Sequence, residues 1–273
     1  NHGFFELAQE SMPGRPPKTV TCCGELHWSY GFSKRWVNPK ADLFVGAVPE
    51  TCHAAQRLGM PINRIYEGGF LLRPTFFGPD LTPQESADYV SHELGLDPGR
   101  FLLVLGTGAN GANHHIPLLE AMHNADLRNL QVLALCSQNK ELSSKITRWA
   151  DAHTNITVRT LPYIKNMKPL LQAASALACR SGTGLTSEAI LCQCPIIFDK
   201  IGGVMPQENI TLAYCRRHRL GQSFRKATDL PEVVSRILRN PEQLTAARQR
   251  KERLRPQKNP QDLIRKLSAL LDS

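Results

Sequence analysis

The sequence lacks any apolar run approaching the roughly 18 residues that a membrane-spanning helix needs. Its opening stretch, NHGFFELAQE, also lacks the basic start and apolar core of a secretory signal peptide. With 41% hydrophobic and 21% charged residues, the composition is that of an ordinary globular protein. We therefore expect a cytoplasmic protein. Because the first residue is Asn1 and not methionine, we also expect a processed or partial product.

The paired cysteines of common zinc sites are missing as well. None of the eight cysteines forms CxxC, and Cys192 and Cys194 form CxC instead. These two cysteines could form a four-ligand metal site with Cys215 and His218. However, Cys215 and His218 fall in a helix-like segment that does not contain the second closely spaced ligand pair of a zinc site. No Asp-x-Asp motif is present. We predict reduced thiols, no metal and no cofactor.

Acidic residues are fewer than basic ones, 24 against 33, which gives a net charge of +9. A basic surface is typical of proteins that bind nucleic acid, anionic membranes or acidic substrates. Here the basic residues form two short clusters, 216–219 and 248–255, and no nucleic-acid-binding motif accompanies them. We predict that the chain does not bind nucleic acid, and solvated helix faces are the simplest interpretation of the clusters.

From residue 97 onward, short apolar runs alternate with amphipathic stretches. Strands and helices at this spacing predict a parallel sheet with helices on both faces, which is an α/β fold. Such sheets bind ligands beyond the carboxyl ends of their strands. The predicted strands are 101–106, 130–136, 156–161, 174–179, 195–198 and 221–224, and the predicted helices are 115–124, 140–152, 166–173, 185–193, 207–218 and 230–239.

The amino-terminal part has fewer elements, with strands predicted at 19–23, 41–47 and 64–70 and a helix at 49–58. These are too few for a complete doubly wound domain, so we predict the latter half of one. The proline-rich stretch 73–83 is typical of a linker, and 84–95 is predicted to be a helix. The predicted domains are 1–76, the latter half of an amino-terminal domain, 77–255, a carboxyl-terminal domain, and 256–273, a C-terminal helix.

Glycine-rich loops follow two of the predicted strands. The first, LGTGANGANHH, contains GxGxxG at Gly106, Gly108 and Gly111, the pattern of a dinucleotide cofactor site. That site needs an acid at the end of the next strand to hold the ribose. Here the next strand ends with Ser137 and Gln138. The sequence therefore disfavours a nicotinamide or flavin enzyme.

The second loop, CRSGTG at 179–184, precedes the helix-like stretch LTSEAILCQ. A helix N-terminus attracts anions, because it carries unpaired N–H groups and the positive end of the dipole. The hydroxyls of Ser181, Thr183 and Thr186 can add to a phosphate site there. Glu188 lies at i,i+4 from Gly184, and a carboxylate accepts two hydrogen bonds from a ribose diol. An ordinary strand-to-helix loop with a capping threonine is the alternative.

Two further segments extend this predicted site. In FDKIGGVMPQEN, Pro206 suits the first turn of a helix, which puts Gln207, Glu208 and Asn209 at the N-terminus of that helix. Amides and an acid suit sugar hydroxyls, which both donate and accept hydrogen bonds. In LPYIKNM, the ring of Tyr163 can contact a base. Together the segments predict a base, a ribose, a diphosphate and a sugar along the carboxyl edge of one sheet.

The order GTGANG, LPYIKNM, CRSGTGLTSEA and PQEN resembles the carboxyl-terminal domain of family 28 glycosyltransferases. That family includes the peptidoglycan enzyme that adds N-acetylglucosamine to lipid I, the monogalactosyldiacylglycerol synthases and the processive diacylglycerol glycosyltransferases. The segments TCCGELHWSY and GGFLLRPTF resemble acceptor-side stretches of the lipid synthases, so the resemblance covers roughly residues 18–240. It implies the GT-B architecture of two Rossmann-like domains. The acceptor-side domain, at 1–76, would be only partly present, and 77–255 would be the nucleotide-sugar-binding domain.

The resemblance also implies roles for individual residues. Residues 182–184 would bind the diphosphate and Glu188 the ribose, while Gln207 and Glu208 would contact the donor sugar. Gly108 and its neighbours would border the cleft between phosphate and acceptor. The full predicted donor-binding set is Gly108, Tyr163, Ile164, Met167, Arg180, Ser181, Gly182, Thr183, Gly184, Glu188, Gln207, Glu208 and Asn209.

The implied reaction is the inverting transfer of a hexose from a UDP-sugar to a lipid acceptor such as diacylglycerol. Helix dipole and backbone amides would stabilise the leaving UDP and so remove the need for a metal. The basic surface would dock the protein on the anionic inner face of the membrane, as a peripheral protein. The family's first glycine-rich loop, with its proposed general base, belongs before Asn1, so no base is assigned within this chain.

His27 is the nearest candidate base on the acceptor side, and a structural histidine packed near Trp28 is the alternative. Cys22 stands where the lipid synthases have an aspartate, which predicts a different or impaired acceptor side. Two other functions stay open. One is a UDP-N-acetylglucosamine 2-epimerase, which shares the GT-B architecture, and the other is a non-catalytic subunit that binds a nucleotide-sugar.

Overall fold

The computed structural model describes residues 3–12, 14, 16–27, 32–107, 113–127, 129–256, 258 and 260–272. In chain order its strands are β1 Val20–Cys23, β2 Leu43–Gly46, β3 Ile65–Glu67, β4 Phe101–Gly106, β5 Leu130–Ser137, β6 Thr157–Pro162, β7 Ala176–Cys179, β8 Ile196–Asp199 and β9 Gly221–Phe224. Its helices are α1 Phe4–Glu10, α2 Pro49–Arg57, α3 Pro83–Asp88, α4 His115–Asn124, α5 Lys140–Ala152, α6 Lys168–Ala173, α7 Thr183–Leu191, α8 Pro206–Arg217, α9 Leu230–Arg239, α10 Glu242–Glu252 and α11 Pro260–Leu271.

The chain forms two compact units, and the first contains Asn1–Phe77, Pro206–Arg217 and Pro256–Ser273. Its strands are parallel, in the order β1-β2-β3. The middle strand β2 is buried along its whole length, as its apolar sequence LFVG requires of a strand covered on both faces. The C-terminal segment packs on β3, where Lys258 Nζ lies 4.2 Å from the centroid of the Tyr66 ring.

The second unit contains Gly78–Met205 and His218–Arg255. Its six parallel strands have the order β6-β5-β4-β7-β8-β9. The strands β7 and β8 are buried at every residue, the pattern of a parallel sheet between two layers of helices. Leu103 on β4 and Leu118 on α4 belong to one large core with Val234 on α9. The structure thus confirms the predicted α/β fold.

Local sequence explains the packing of the amphipathic helices. In α5, Leu142, Ile146 and Trp149 recur at helical spacing and are the buried residues of the helix. Asn139 precedes the helix, and its side-chain oxygen accepts a hydrogen bond from the Leu142 N–H at 2.9 Å. The cap fixes where the helix begins, and the apolar stripe fixes which side faces the sheet.

Near the start of the second unit, a buried lysine anchors the chain. The side chain of Lys168 is 6% exposed, and its Nζ donates hydrogen bonds to the carbonyl oxygens of Gly78 at 2.6 Å and Pro79 at 2.9 Å. The same ammonium lies 2.9 Å from a carboxylate oxygen of Asp80. This part of the predicted linker is therefore fixed to α6.

Two helices, α1 and α10, were not among the predicted elements, and α3 continues into a π-helical turn over Tyr89–Glu93. In α10, the basic residues serve the fold. Arg248 donates to the carbonyl oxygen of Ala174 at 3.1 Å, and the fully buried Lys251 donates to that of Leu220 at 2.9 Å. The predicted solvated face is therefore wrong for this part of the basic cluster.

The predicted domain boundaries stay a prediction. The contacts of the chain end the first segment of the first unit at Phe77, one residue after the predicted boundary. They also place α8 and the C-terminal helix α11 in that first unit. Only the remainder, 78–205 and 218–255, forms the second unit.

Candidate functional site

The carboxyl edge of the six-stranded sheet brings the ends of three strands side by side. Gly106 at the end of β4 pairs with Cys179 at the end of β7, and Cys179 pairs with Phe198 on β8. The chain runs outward from β4 through β5 to β6, then returns to β7 on the other side of β4. Open α/β sheets bind their ligands at such a reversal of strand order.

The loop after β7 leads directly into α7. Gly182 is the N-cap residue of this helix, so no side chain caps it, and the first turn holds no acidic residue. A Cβ atom added to Gly182 or to Gly184 would meet no heavy atom within 4 Å among the described residues. The helix N-terminus therefore has open space beside it, where backbone N–H groups and the helix dipole favour an anion.

Ser181 precedes this helix and is fully buried. Its Oγ has no hydrogen-bond partner within the described part of the chain. A buried hydroxyl without a partner is uncommon in folded proteins, because its desolvation is then uncompensated. The hydroxyl is therefore available to a group bound at the start of α7.

Thr186 behaves differently from the expectation. It is fully buried, and its hydroxyl donates to the carbonyl oxygen of Gly182 at 2.8 Å, one turn earlier in the chain. The hydroxyl thus supports the turn from inside, and the predicted phosphate contact of Thr186 is wrong. Thr183, the first residue of α7, is half-buried.

Arg180 connects the loop after β7 with the loop after β8. Its guanidinium donates to the carbonyl oxygen of Ile201 at 3.0 Å and to that of Gly203 at 2.8 Å. Gly202 and Gly203 have φ angles of 70° and 94°, which only glycine adopts readily. These two hydrogen bonds of Arg180 therefore position the loop after β8.

A histidine and an aspartate that the sequence prediction missed join the loops after β4 and β8. His114 Nδ1 lies 2.6 Å from Oδ2 of Asp199, and Asp199 is fully buried. The other carboxylate oxygen accepts a hydrogen bond from the Ile201 N–H at 2.9 Å. The sequence signal was the pair HH after the glycine-rich loop and an acid at the end of a strand.

The next residue, His115, is enclosed by the fold. It is fully buried, and its Nδ1 lies 3.3 Å from the hydroxyl of Thr107. Burial lowers the pKa of His115, so the neutral ring is favoured. Its Nε2 has no hydrogen-bond partner among the residues that the structure describes.

The residues predicted for the ribose and the base also lie in the second unit. Glu188 is half-buried on α7, one turn after Gly184. Tyr163 follows β6 with its side chain 55% exposed, and its N–H donates to the Ser137 carbonyl oxygen at 3.0 Å. Ile164 and Met167 are half-buried in the same stretch. Their roles in binding stay predictions.

The remaining predicted residues divide into two groups. Gly108 lies outside the described residues. Gln207, Glu208 and Asn209 form the first turn of α8 in the first unit, where Glu208 is buried while Gln207 and Asn209 are exposed. Their predicted contact with a donor sugar stays a prediction.

His27, the candidate base, also belongs to the first unit. Its side chain is 2% exposed, and its ring centroid lies 5.0 Å from that of Phe32. Burial lowers the pKa of His27, and its Nδ1 has no hydrogen-bond partner within the described part of the chain. Trp28 lies outside the described residues. A catalytic role for His27 stays a prediction.

No group of three or more His, Cys, Asp or Glu residues within the described ranges is arranged to hold a metal ion. Burial raises the pKa of the Cys194 thiol to about 12 and also raises that of Cys192.

Within the described ranges, no helix combines the length and the apolar character needed to cross a bilayer.

A cavity of about 220 Å³ lies at the opposite, amino-terminal edge of the sheet. Ile196 and Gly221, the first residues of β8 and β9, line it with Arg219 and Arg250. Arg250 Nε donates to the Arg219 carbonyl oxygen at 3.0 Å, which commits that side chain to the fold. The open helix terminus at the carboxyl edge is therefore the better candidate site.

Comparisons with known proteins show which families and structures the chain resembles. Residues 101–199 match the model of the glycosyltransferase family 28 C-terminal domain. The chain is 24% identical over 211 residues to a processive diacylglycerol beta-glucosyltransferase of Bacillus cytotoxicus, covering 77% of this chain and 52% of that protein. It is 25% identical over 192 residues to monogalactosyldiacylglycerol synthase 1 of Arabidopsis thaliana, covering 68% of this chain and 34% of that protein. The chain thus spans about half or less of these relatives.

Solved structures share the fold. The structure of Anabaena Alr3699/HepE in complex with UDP and glucose aligns with a TM-score of 0.56 at 14% identity, over 93% of this chain and 71% of that one. MurG of Acinetobacter baumannii aligns with a TM-score of 0.57 at 15% identity, over 97% of this chain and 76% of that one. These comparisons confirm the GT-B fold and the resemblance to family 28 glycosyltransferases.

Proposed function

We propose that this chain, whose second unit carries the match to the family 28 C-terminal domain, is a glycosyltransferase that uses a UDP-sugar. The observation that carries the proposal is the open N-terminus of α7. Among the described residues, it combines an N-cap glycine, open space at Gly182 and Gly184, and a Ser181 hydroxyl without a hydrogen-bond partner. All of these lie where the strand order of the sheet reverses.

The N-terminus of α7 is suited to bind a diphosphate. Its oxygens accept hydrogen bonds from the N–H groups of the first turn, and its negative charge is stabilised by the helix dipole. Glycines let the phosphates approach the backbone closely. Glu188, one turn further along α7, accepts hydrogen bonds from a ribose diol. The uridine base then extends toward Tyr163, beyond the end of β6.

In the reaction, an acceptor hydroxyl attacks the anomeric carbon of the sugar. The bond from that carbon to the β-phosphate oxygen breaks, its electron pair leaves with UDP, and the configuration inverts. The helix terminus stabilises the charge that grows on the departing diphosphate. The hydroxyl proton passes to a general base, for which this chain supplies no assigned residue.

A membrane lipid such as diacylglycerol is the acceptor that we propose. The support is that two relatives are named for acting on diacylglycerol lipids, one as a glucosyltransferase and one as a galactolipid synthase. A basic protein with net charge +9 is attracted to anionic lipid, which supports a peripheral location at the inner face of the membrane.

Calorimetric titration with UDP tests the donor site. We expect the wild-type chain to bind UDP in preference to NAD, and Glu188→Ala to weaken UDP binding at least tenfold because the ribose loses its acceptor. Glu120→Ala is the matched control, since Glu120 is an exposed acid on α4. Binding of NAD without UDP would contradict the proposal, and so would equal UDP affinity in both variants.

The transfer itself is tested by incubating the protein with UDP-glucose and vesicles that contain diacylglycerol and anionic lipid. We expect a glycolipid product together with free UDP. Conversion of UDP-N-acetylglucosamine into a 2-epimer would instead support the epimerase alternative. Binding of UDP without any product would support the non-catalytic subunit.

A further inference from the structure

His114 and Asp199 reach across the central strand of the site. The sheet order β4-β7-β8 puts β7 between the strands that lead to these two residues. Neighbouring strands are about 4.8 Å apart, so β4 and β8 are separated by roughly 10 Å. The hydrogen bond between His114 and Asp199 therefore spans the end of β7, where the chain continues into Ser181 and Gly182.

The pair leaves one ring nitrogen of His114 for a ligand. Asp199 is fully buried, and because a carboxylate oxygen accepts hydrogen bonds, the Nδ1–H of His114 donates to it. The side chain of His114 is 19% exposed. Among the described residues, the hydrogen bond found for this ring is the one at Nδ1, which leaves Nε2 for a ligand.

We propose that Nε2 of His114 binds the diphosphate of the sugar donor and that Asp199 is the residue that positions the ring. The inference rests on the proposed function, and it adds a side chain to a site otherwise built from backbone and hydroxyl groups. With Nδ1–H committed to Asp199, Nε2 donates to a phosphate oxygen only when the ring carries both protons. The contact then brings a full positive charge to the diphosphate.

The surrounding groups hold the pair in place. Arg180 and Asp199 both bind the loop after β8, through its carbonyl oxygens and through the Ile201 N–H. His115, the next residue on α4, interacts electrostatically with both His114 and Asp199. His115 is buried with a lowered pKa, so it does not supply this charge.

Calorimetric titration with UDP-glucose tests the proposal. This probe is used because it carries the diphosphate together with the sugar. For His114→Gln, we expect affinity to fall about tenfold relative to the wild-type chain, because the diphosphate loses a charge-assisted hydrogen bond.

His92→Gln is the matched control, because His92 is an exposed histidine of the same unit. It should retain the wild-type affinity. Asp199→Asn tests the positioning role, and we expect the Nδ1 signal of His114 to shift in nitrogen-15 NMR, which a merely structural loss of stability would not produce. Thermal unfolding verifies that each variant is folded.

Outcomes separate this inference from the proposed function. If the wild-type chain does not bind UDP-glucose at any pH, the donor site itself is wrong. If it binds and His114→Gln keeps the wild-type affinity, the donor site stands and the role of His114 is overturned. Nitrogen-15 NMR of the histidines in the wild-type chain needs no variant. Here a shift of His114 Nε2 on addition of UDP-glucose is expected, and an unchanged signal would overturn the proposal.

Discussion

Arg255 holds the carboxylate of Asp80 with two hydrogen bonds, although 175 residues separate them in the chain. Arg255 Nη1 lies 2.7 Å from Oδ2 and Nη2 lies 3.1 Å from Oδ1. Lys168 Nζ lies 2.9 Å from the same carboxylate. Burial raises the pKa of Asp80, but the hydrogen bonds from Arg255 and Lys168 outweigh it and hold the pKa at about 2.

Asp80→Asn is expected to destabilise the protein at neutral pH. The cost should be about 1 kcal/mol, because the buried ammonium of Lys168 loses its counter-charge while solvent already screens the partly exposed carboxylate. A lowered pKa means that the ionised form stabilises the fold above the unfolded pKa of about 3.9, and that this contribution disappears as the pH falls toward 2. Urea unfolding at pH 7 and pH 3 measures the effect.

The difference between wild type and Asp80→Asn should shrink to about half at pH 3, midway through that range. Asp151→Asn is the control, since Asp151 is an exposed acid of the same unit, and it should change stability little at either pH. If wild type and Asp80→Asn differ in stability by the same amount at both pH values, Asp80 stabilises the fold through packing and not through its charge.

Gly184→Ala separates ligand binding from folding. The added methyl group meets no described atom within 4 Å, and alanine favours helices over glycine by roughly 0.5–1 kcal/mol, so the melting temperature should stay or rise. The methyl group occupies the space proposed for the diphosphate, so affinity for UDP should fall at least tenfold. Differential scanning fluorimetry and calorimetric titration measure the two quantities on one sample.

Gly106→Ala provides the contrast. Its Cβ would lie 3.2 Å from Leu185 Cδ2, so this variant is expected to lose stability through crowding in the core. A Gly184→Ala variant that binds UDP as tightly as wild type would remove the diphosphate from this helix terminus.

Arg180→Lys is expected to loosen the loop after β8. A lysine replaces a rigid fork with a single ammonium, so it cannot reproduce both bonds to the carbonyl oxygens of Ile201 and Gly203. Amide hydrogen exchange should become faster over residues 200–205, and UDP affinity should fall several-fold. Mass spectrometry of the exchanged peptides measures the first effect.

Arg100→Lys is the matched control for Arg180→Lys. Arg100 also uses two guanidinium nitrogens, on the Leu130 carbonyl oxygen at 2.8 Å and the Thr157 hydroxyl at 3.0 Å, but at the amino-terminal edge of the sheet. Its replacement should change exchange near those residues and leave UDP affinity unchanged. Equal losses of affinity in both variants would indicate a general effect on stability.

Much of the fold could be predicted from the sequence, because its signals are local. The apolar runs of β4 and β5 and the glycines before α7 each identify an element without reference to the rest of the chain. The helix α10 was missed because it has little apolar periodicity, and its basic side chains are held by carbonyl groups of residues that are distant in sequence. Such partners are known only once the sheet is assembled.

The candidate site also contains features that local sequence predicts and features that depend on distant residues. The open terminus of α7 follows from glycines that are adjacent in sequence, and the structure places it as expected. The pair His114 and Asp199 depends on the strand order β4-β7-β8, which no local pattern specifies. Thr186 was assigned to the wrong side of its turn, because spacing along a helix does not tell whether a hydroxyl faces a ligand or a preceding carbonyl group.

The space that the described residues leave around Gly182 and Gly184 has an evolutionary consequence. Since those residues leave room for a methyl group at both positions, selection for stability does not favour glycine there, whereas a ligand in that space does. A descendant that abandons its ligand is thus free to acquire side chains there without penalty. These two positions would record the loss of the ligand earlier than any residue of the core.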